Sequence, residues 1–283
     1  MAACPAPCVD VAALLERLLE RLSLTADGPD RFRGGAGAGG VTVENRLFGG
    51  LVAAQAAVAA ARTVRDVPIH SLHAYFLGPG RPDRDMRFEV RRIKEGRNFQ
   101  ARCVEVWQQD RIIFHLQASF TRPVPGVGHQ APVPEAPGPM ASPNRDQLRG
   151  RTNWAEMPVD VRMATEITGS RPLPPEQRVW LKPSGPLPED PLLHLAMVVY
   201  ASDRTLLETA WRPHADHGEL AGASLDHSMW FHAVPRFDDW LLYATESPAA
   251  GAGRGLVLGG LYDRDGRRIA SVAQEGLLRY RDR

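Results

Sequence analysis

Lysine is almost missing from this chain. Of 34 basic side chains only Lys94 and Lys182 are lysines, and the arginines that make up the rest are scattered. With a net charge of +1 there is no field to draw in nucleic acid or an anionic membrane, and neither is expected as a partner. Cysteine is scarce as well. Cys4, Cys8 and Cys103 are an odd set without framework spacing, which argues against a secreted disulfide fold. Cys4 and Cys8 have no second Cys or His pair beside them, so no zinc site is expected, and no other metal or cofactor. No apolar run reaches the roughly 18 residues that suggest a membrane span. The N-terminus lacks the basic start and continuous apolar core of a signal peptide. The C-terminal Arg281-Asp282-Arg283 is not a peroxisomal address. A cytoplasmic protein is the expectation. Gly-x-Ser-x-Gly does not occur, which excludes the nucleophile elbow of an α/β-hydrolase. Gly35–Gly40 fits the dinucleotide fingerprint in letters only, because a strand pattern follows it where a helix is needed. It reads as a loop.

What the chain does contain is a repeat. Ser71-Leu72-His73-Ala74-Tyr75-Phe76, with strand patterns running on to Ala118-Ser119-Phe120, resembles Ser224 to Phe231, with strand patterns running on to Gln274-Glu275-Gly276. A long apolar helix pattern precedes each copy. In the first half, an amphipathic helix is predicted over Val9 to Leu24, and short strands at Arg31-Phe32-Arg33 and Val41-Thr42-Val43. An Ala-rich helix opens at Phe48-Gly49-Gly50 and runs to Val64, small on every side, as suits a helix pressed into a curved sheet. Strands follow at Ile69 to Leu77, Met86 to Glu95, Asn98 to Gln108 and Arg111 to Thr121. Seven prolines between Pro123 and Pro143 make a linker. In the second half a strand at Glu176 to Pro183 precedes a helix capped by Asp190 with Pro191 at its first position, continuing to about Thr209. Strands follow at Ser224 to His232, Trp240 to Ser247, Arg254 to Asp263 and Arg268 to Tyr280, with a hairpin turn at Asp265-Gly266. The fold class is α+β. One helix wrapped by an antiparallel sheet, twice over, is a double hot-dog: residues 1–122 and 151–283 form the halves, joined by the linker 123–150. A site should lie where the copies meet, and the polar residues need not be equal in the two.

Three polar residues sit where apolar ones are expected. Asp203 projects about 50° from the centre of the apolar stripe Leu193, Ala196, Met197, Tyr200, Leu207, taking a turn of about 100° per residue. A carboxylate there needs compensation or a function; the structural alternative is a pairing with Arg204. Ser224 starts a strand, where a serine often bonds only its own backbone. Gln274 lies within the apolar strand Ile269, Ala270, Val272, Ala273, and a buried amide needs partners for both its ends. His227, Trp230 and His232 also stand out, His227 as a structural strand histidine and Trp230 as core or pocket wall.

Taken together, Val43-Glu44-Asn45-Arg46-Leu47-Phe48-Gly49-Gly50, Ile69 to Leu77, Leu225-Asp226-His227-Ser228-Met229-Trp230-Phe231-His232 and Ala273-Gln274-Glu275-Gly276 resemble acyl-CoA thioesterase II. The resemblance runs from about residue 10 to 280 and is most specific in the Asp-His-Ser-Met-Trp-Phe-His run. It implies a double hot-dog hydrolase that cleaves acyl-CoA to a free acid and coenzyme A, using an Asp, a Ser or Thr, and a Gln. By position these are Asp203, Ser224 and Gln274, the residues singled out above. Direct attack by water is the expected chemistry, with Asp203 as proton acceptor and Ser224 and Gln274 holding the water. Gly49 and Gly50, at a helix N-terminus, are candidates for the oxyanion donors. The acyl chain is expected to enter an apolar tunnel between the halves. Hot-dog units bury sheet edges against partners, so a homodimer or larger homo-oligomer is expected. Two rivals share the fold. An enoyl-CoA hydratase is suggested faintly by Asp190-Pro191-Leu192-Leu193-His194, which lacks the hydratases' Asn. A non-catalytic acyl-CoA sensor or carrier would need only the pocket.

Overall fold

In a computed structural model of the protein, residues 11–35, 41–42, 46–65, 67–149, 158–217 and 220–280 are described. Cys4, Cys8 and most of the glycine-rich run after Gly35 lie outside them. The first half contains α1 (Val11–Leu22), the short strands β1 (Thr25–Ala26), β2 (Arg31–Gly34), β3 (Val41–Thr42) and β4 (Arg46–Leu47), and then α2 (Gly49–Ala61). Four long strands follow: β5 (Ile69–Phe76), β6 (Met86–Glu95), β7 (Phe99–Gln108) and β8 (Arg111–Thr121). The connecting segment ends in α3 (Arg145–Arg149), and the second half follows with β9 (Val159–Met163), β10 (Glu176–Pro183), α4 (Pro191–Ser202) and α5 (Glu208–Trp211). It closes with β11 (Leu220–Ser224), β12 (Asp226–Phe231), β13 (Leu241–Gly251), β14 (Arg254–Tyr262) and β15 (Arg268–Tyr280).

Thirteen strands form one antiparallel sheet, whose centre reads β2-β6-β7-β8-β5-β12-β15-β14-β13-β10. Outward from the middle, β5-β8-β7-β6-β2 on one side is matched by β12-β15-β14-β13-β10 on the other. The repeat in the sequence is therefore a pseudo-twofold in the sheet. β5 and β12 make the seam, with Ser71 opposite Trp230, His73 opposite Ser228 and Tyr75 opposite Asp226. His73 and Ser228 hold the same place in the repeat, and His73 Nδ1 lies 3.2 Å from Ser228 Oγ. The pseudo-axis passes between them.

Both long helices lie on the inner face. α2 is buried from Gly50 to Ala60, and α4 from His194 to Ser202. A helix apolar all round has no solvent face, as the sequence pattern requires. α1 is amphipathic and covers α2: Leu14, Leu15, Leu18 and Leu22 are buried while Glu16 and Arg17 are exposed. Gln55, buried within α2, donates to Arg21 O at 2.8 Å and so satisfies a carbonyl in the last turn of α1. One hydrophobic core runs through both halves, from Leu18 and Phe88 to Met197 and Val272.

Beyond adding β1, α3 and β9 and lengthening β13, the structure corrects three predicted features. α4 ends at Ser202 and does not run to Thr209; Ser202 Oγ turns back to within 2.9 Å of Val199 O, and Asp203 closes the helix as its C-cap. The strand expected over Ser224 to His232 is interrupted at Leu225, whose N–H bonds to Glu275 O while its carbonyl accepts from Phe76 N–H. Trp230 is neither core nor pocket wall. It is 40% exposed on the outer sheet face, edge-on to His73 at 5.2 Å.

The proline-rich segment is extended and tied down along the outer face of the second half. Trp180 Nε1 donates to Pro137 O at 2.7 Å, Gln130 Nε2 donates to Gly266 O, and Gln130 Oε1 accepts from Arg268 N–H. Val133 and Ala136 pack on Trp180, Trp240, Leu242 and Tyr262. At its end, Asp146 of α3 receives Arg204 Nη2 at 2.9 Å, and Arg145 Nη2 meets Glu208 Oε2 at 2.8 Å. These buried pairs fasten the linker to the turn that follows α4. Burial pushes the Arg204 guanidinium down to about 10, against the pull of Asp146. The suspected partner of Asp203 is thus committed elsewhere.

Candidate active site

The three polar residues selected from the sequence meet on the inner face beside the seam. Asp203 arrives from the end of α4. Ser224 ends β11, paired with Gly276 of β15, and Gln274 lies two residues before Gly276 on the same face of that strand. Gln274 Nε2 donates to Ser224 Oγ at 2.8 Å, and Ser224 Oγ donates to Asp203 Oδ1 at 3.4 Å. Gln274 also donates to the Asp203 carboxylate, as does the backbone N–H of Gly50.

Gly50 comes from the other half, and its reach depends on the lack of a side chain. A Cβ at Gly50 would sit 2.5 Å from Tyr200 O, and one at Gly49 would sit 2.9 Å from Asp203 Oδ2 and 2.8 Å from Phe76. The glycine pair lets the N-terminus of α2 press against the end of α4. Asp203 therefore feels two helix termini of opposite effect: the C-terminus of α4 disfavours its negative charge, and the N-terminus of α2 favours it.

Asp203 keeps part of its surface accessible but is surrounded by protein. Burial raises its pKa above the ordinary carboxylate value and outweighs the opposing effects of His227, Gln274, Gly50 and Ser224. A carboxyl with a raised pKa among oriented donors is the pattern of a proton acceptor. Burial, with a contribution from Asp203, likewise raises the Tyr243 hydroxyl well above its usual value.

One residue that the sequence reading took as structural belongs to this cluster. His227 is fully buried, with Nδ1 2.5 Å from Gln274 Oε1 and Nε2 2.9 Å from Ser202 Oγ. A lone strand histidine carries no local signal of this, because its partners lie 25 and 47 residues away in sequence. Asp226 accepts from Glu275 N–H at 2.8 Å and ties β12 to β15 where Leu225 interrupts the strand. Burial raises its pKa too. The pseudo-twofold does not repeat the polar set. Pairing of Ser228 with Ala273 sets His227 across from Gln274, and the matching pair in the first half is Leu72 and Ala118.

The hydratase-like residues are otherwise engaged. Asp190 caps α4, accepting from Leu192 N–H at 2.9 Å, and His194 Nδ1 accepts from Phe237 N–H. Among the described residues no group of three His, Cys, Asp or Glu is arranged to hold a metal ion.

Comparison with known proteins identifies the family. The acyl-CoA thioesterase family profile matches residues 149–277, and the profile of the acyl-CoA thioesterase N-terminal domain matches residues 38–121. The chain is similar to acyl-coenzyme A thioesterase 8 of Mus musculus, 38% identical over 262 residues, covering 84% of this chain and 82% of the relative. It is 36% identical over 253 residues to acyl-CoA thioesterase 2 of Haemophilus influenzae, covering 83% and 88%. A crystal structure of an acyl-CoA thioesterase II from Mycobacterium marinum superposes with a TM-score of 0.80 at 36% identity, over 94% of this chain and 98% of that one. A hot-dog fold protein from Alicyclobacillus acidocaldarius, at 18% identity, shares the fold with a TM-score of 0.81. Matched in both halves and along most of its length, the chain belongs to the acyl-CoA thioesterase family.

Proposed function

We propose that this protein hydrolyses fatty acyl-CoA to a free fatty acid and coenzyme A by direct attack of water. The observation that carries the reading is the convergence of Asp203, Ser224 and Gln274, three distant stretches of chain, within one hydrogen-bonded cluster. A water seated on the Asp203 carboxylate, beside Ser224 and Gln274, loses a proton to Asp203 as its oxygen bonds to the thioester carbon. The carbon–sulfur bond then breaks, and the proton passes to the departing sulfur. Gly50 N–H serves Asp203 in the resting site and the Leu51 and Val52 N–H groups bond to Phe48 O, so of the two candidates Gly49 N–H is the oxyanion donor in this scheme.

The reading extends to the whole molecule. We take it as a double hot-dog, with 1–122 and 151–283 as its halves and 123–150 as the connection. The acyl chain enters between the halves. The buried free thiol of Cys103 suits a reducing, cytoplasmic compartment. Exposed Tyr75 and Trp230 on the outer sheet face suit a homodimer or larger assembly, which light scattering of the purified protein tests.

The function is tested by thiol release from acyl-CoAs of graded length, with Asp203→Ala as the control expected to lose orders of magnitude in turnover. Rapid-quench trapping of an acyl group on Ser224, with a burst of coenzyme A, would replace water attack by an acyl-enzyme route. Binding without turnover in both proteins would leave a carrier.

A further inference from the structure

The reactive cluster depends on which way the Gln274 amide points. With its NH₂ group toward Ser224 and Asp203, it donates to both. Turned over, it would aim a carbonyl oxygen at the Asp203 carboxylate, acceptor against acceptor. Nothing within Gln274 prevents the turn, since the two ends of an amide are nearly the same in size. The control must come from its other side, where Gln274 Oε1 meets His227 Nδ1 at 2.5 Å. An amide oxygen only accepts, so His227 Nδ1 carries the hydrogen. A turned amide would then set N–H against N–H.

His227 is itself fixed. It is fully buried on β12, across from Gln274 on β15. Its Nε2 lies 2.9 Å from Ser202 Oγ, and with the hydrogen on Nδ1 it is Nε2 that accepts the single Ser202 hydroxyl hydrogen, leaving Val199 O, 2.9 Å from the same oxygen, as a neighbouring acceptor. Ser202 immediately precedes Asp203. The last turn of α4 thus supplies the carboxylate and, one residue earlier, the support of the imidazole that aims the amide at that carboxylate. The loop closes on itself: Ser202, His227, Gln274, Asp203.

We propose that His227 is a positioning residue for the hydrolysis, an Nδ1–H lock that holds the Gln274 amide with its NH₂ group on Asp203 and Ser224, and that Ser202 holds the lock. This rests on the thioesterase reading above. It goes beyond it by giving a role in the reaction to residues that touch neither water nor thioester.

Two substitutions separate positioning from simple packing. Asn carries its amide nitrogen at the δ position and can keep the donor to Gln274; Gln carries its own at the ε position and can keep the bond to Ser202. His227→Asn is expected to retain kcat within about tenfold. His227→Gln is expected to lose roughly 10²-fold in kcat, with KM within about twofold, the low end of what proton-transfer groups contribute. In a Gln274→Ala background, His227→Gln should cost less than about threefold more, because the amide it aims is gone. Equal losses in Asn and Gln, or losses that multiply with Gln274→Ala, would overturn the proposal. A readout independent of turnover and of any variant's folding is long-range ¹H–¹⁵N NMR of the histidine rings in the unaltered protein. Hydrogen on His227 Nδ1 is expected, and a neutral ring protonated only at Nε2 overturns the lock. If Gln274→Ala instead keeps full activity while Nδ1–H is present, the hydrogen bond stands as structure, but the assignment of Gln274 to hydrolysis falls, and the positioning role with it.

Discussion

Replacing Asp203 by Asn should make the protein more stable and nearly inactive. The carboxylate faces Ser224 Oγ, Gln274 Nε2 and Gly50 N–H, with His227 nearby, and all of these favour its charge. Burial opposes them and prevails, so the folded-state pKa lies above the unfolded value of about 3.9. The sign follows from linkage. A carboxyl with a raised folded pKa binds its proton more tightly when folded, so its favourable contribution is complete below about pH 4 and is lost as pH rises through the folded pKa. At pH 7 the ionised group is a net cost, which Asn does not carry. The Asn oxygen still accepts from Gly50, and the Ser224 hydroxyl can rotate to accept from the new NH₂. A gain of about 1–2 kcal/mol, typical when a functional strain is relieved, raises Tm by about 2–6 °C in a chain of this size. The same change removes the proposed proton acceptor and should lower kcat by about 10²–10⁴-fold. Calorimetry of both proteins between pH 4 and 8, alongside thiol release, measures the two effects together. The stability gap should open as pH rises from 4. Activity of the unaltered enzyme should fall on the acid side with a midpoint above the ordinary carboxylate value. A variant less stable at pH 7, or a gap that does not change with pH, refutes the reasoning.

Gly49→Ala forces a methyl group to within 2.9 Å of Asp203 Oδ2 and 2.8 Å of Phe76. Displacing either should lower kcat by up to about 10²-fold and cost about 1–3 kcal/mol of stability, read from steady-state kinetics and urea melts. Asp146→Ala removes the carboxylate 2.9 Å from the fully buried Arg204. A loss near 3 kcal/mol, or roughly 5–10 °C in Tm, is expected by calorimetry. Ser202→Ala withdraws the support of His227 and should lower kcat while leaving KM within about twofold, a smaller loss than His227→Gln.

The elements were legible wherever local pattern and burial agree. The Ala-rich run could only be a helix without a solvent face, and the strands from Met86 to Thr121 lie within a residue of their predicted bounds. Gln274 was legible because an amide amid Ile269, Ala270 and Val272 needs an explanation. What local pattern missed depends on distant partners. The apolar periodicity runs on past Asp203 through Leu206 and Leu207, so nothing nearby marks the end of α4; the bond of Arg204 to Asp146, 58 residues away, turns the chain there. His227 looked like any strand histidine until register set it against Gln274. The break at Leu225, likewise, answers to a carbonyl on β15.

A fused pair can specialise in a way that two identical subunits cannot. Where the second half carries His227 and Gln274 across the seam, the first carries Leu72 and Ala118. The position related to it by the pseudo-twofold is therefore chemically silent, and its residues answer only to shape. An inert thioether analogue of the substrate should accordingly saturate each polypeptide at a stoichiometry of one, however many polypeptides assemble, and Leu72 and Ala118 can vary without touching the reacting groups.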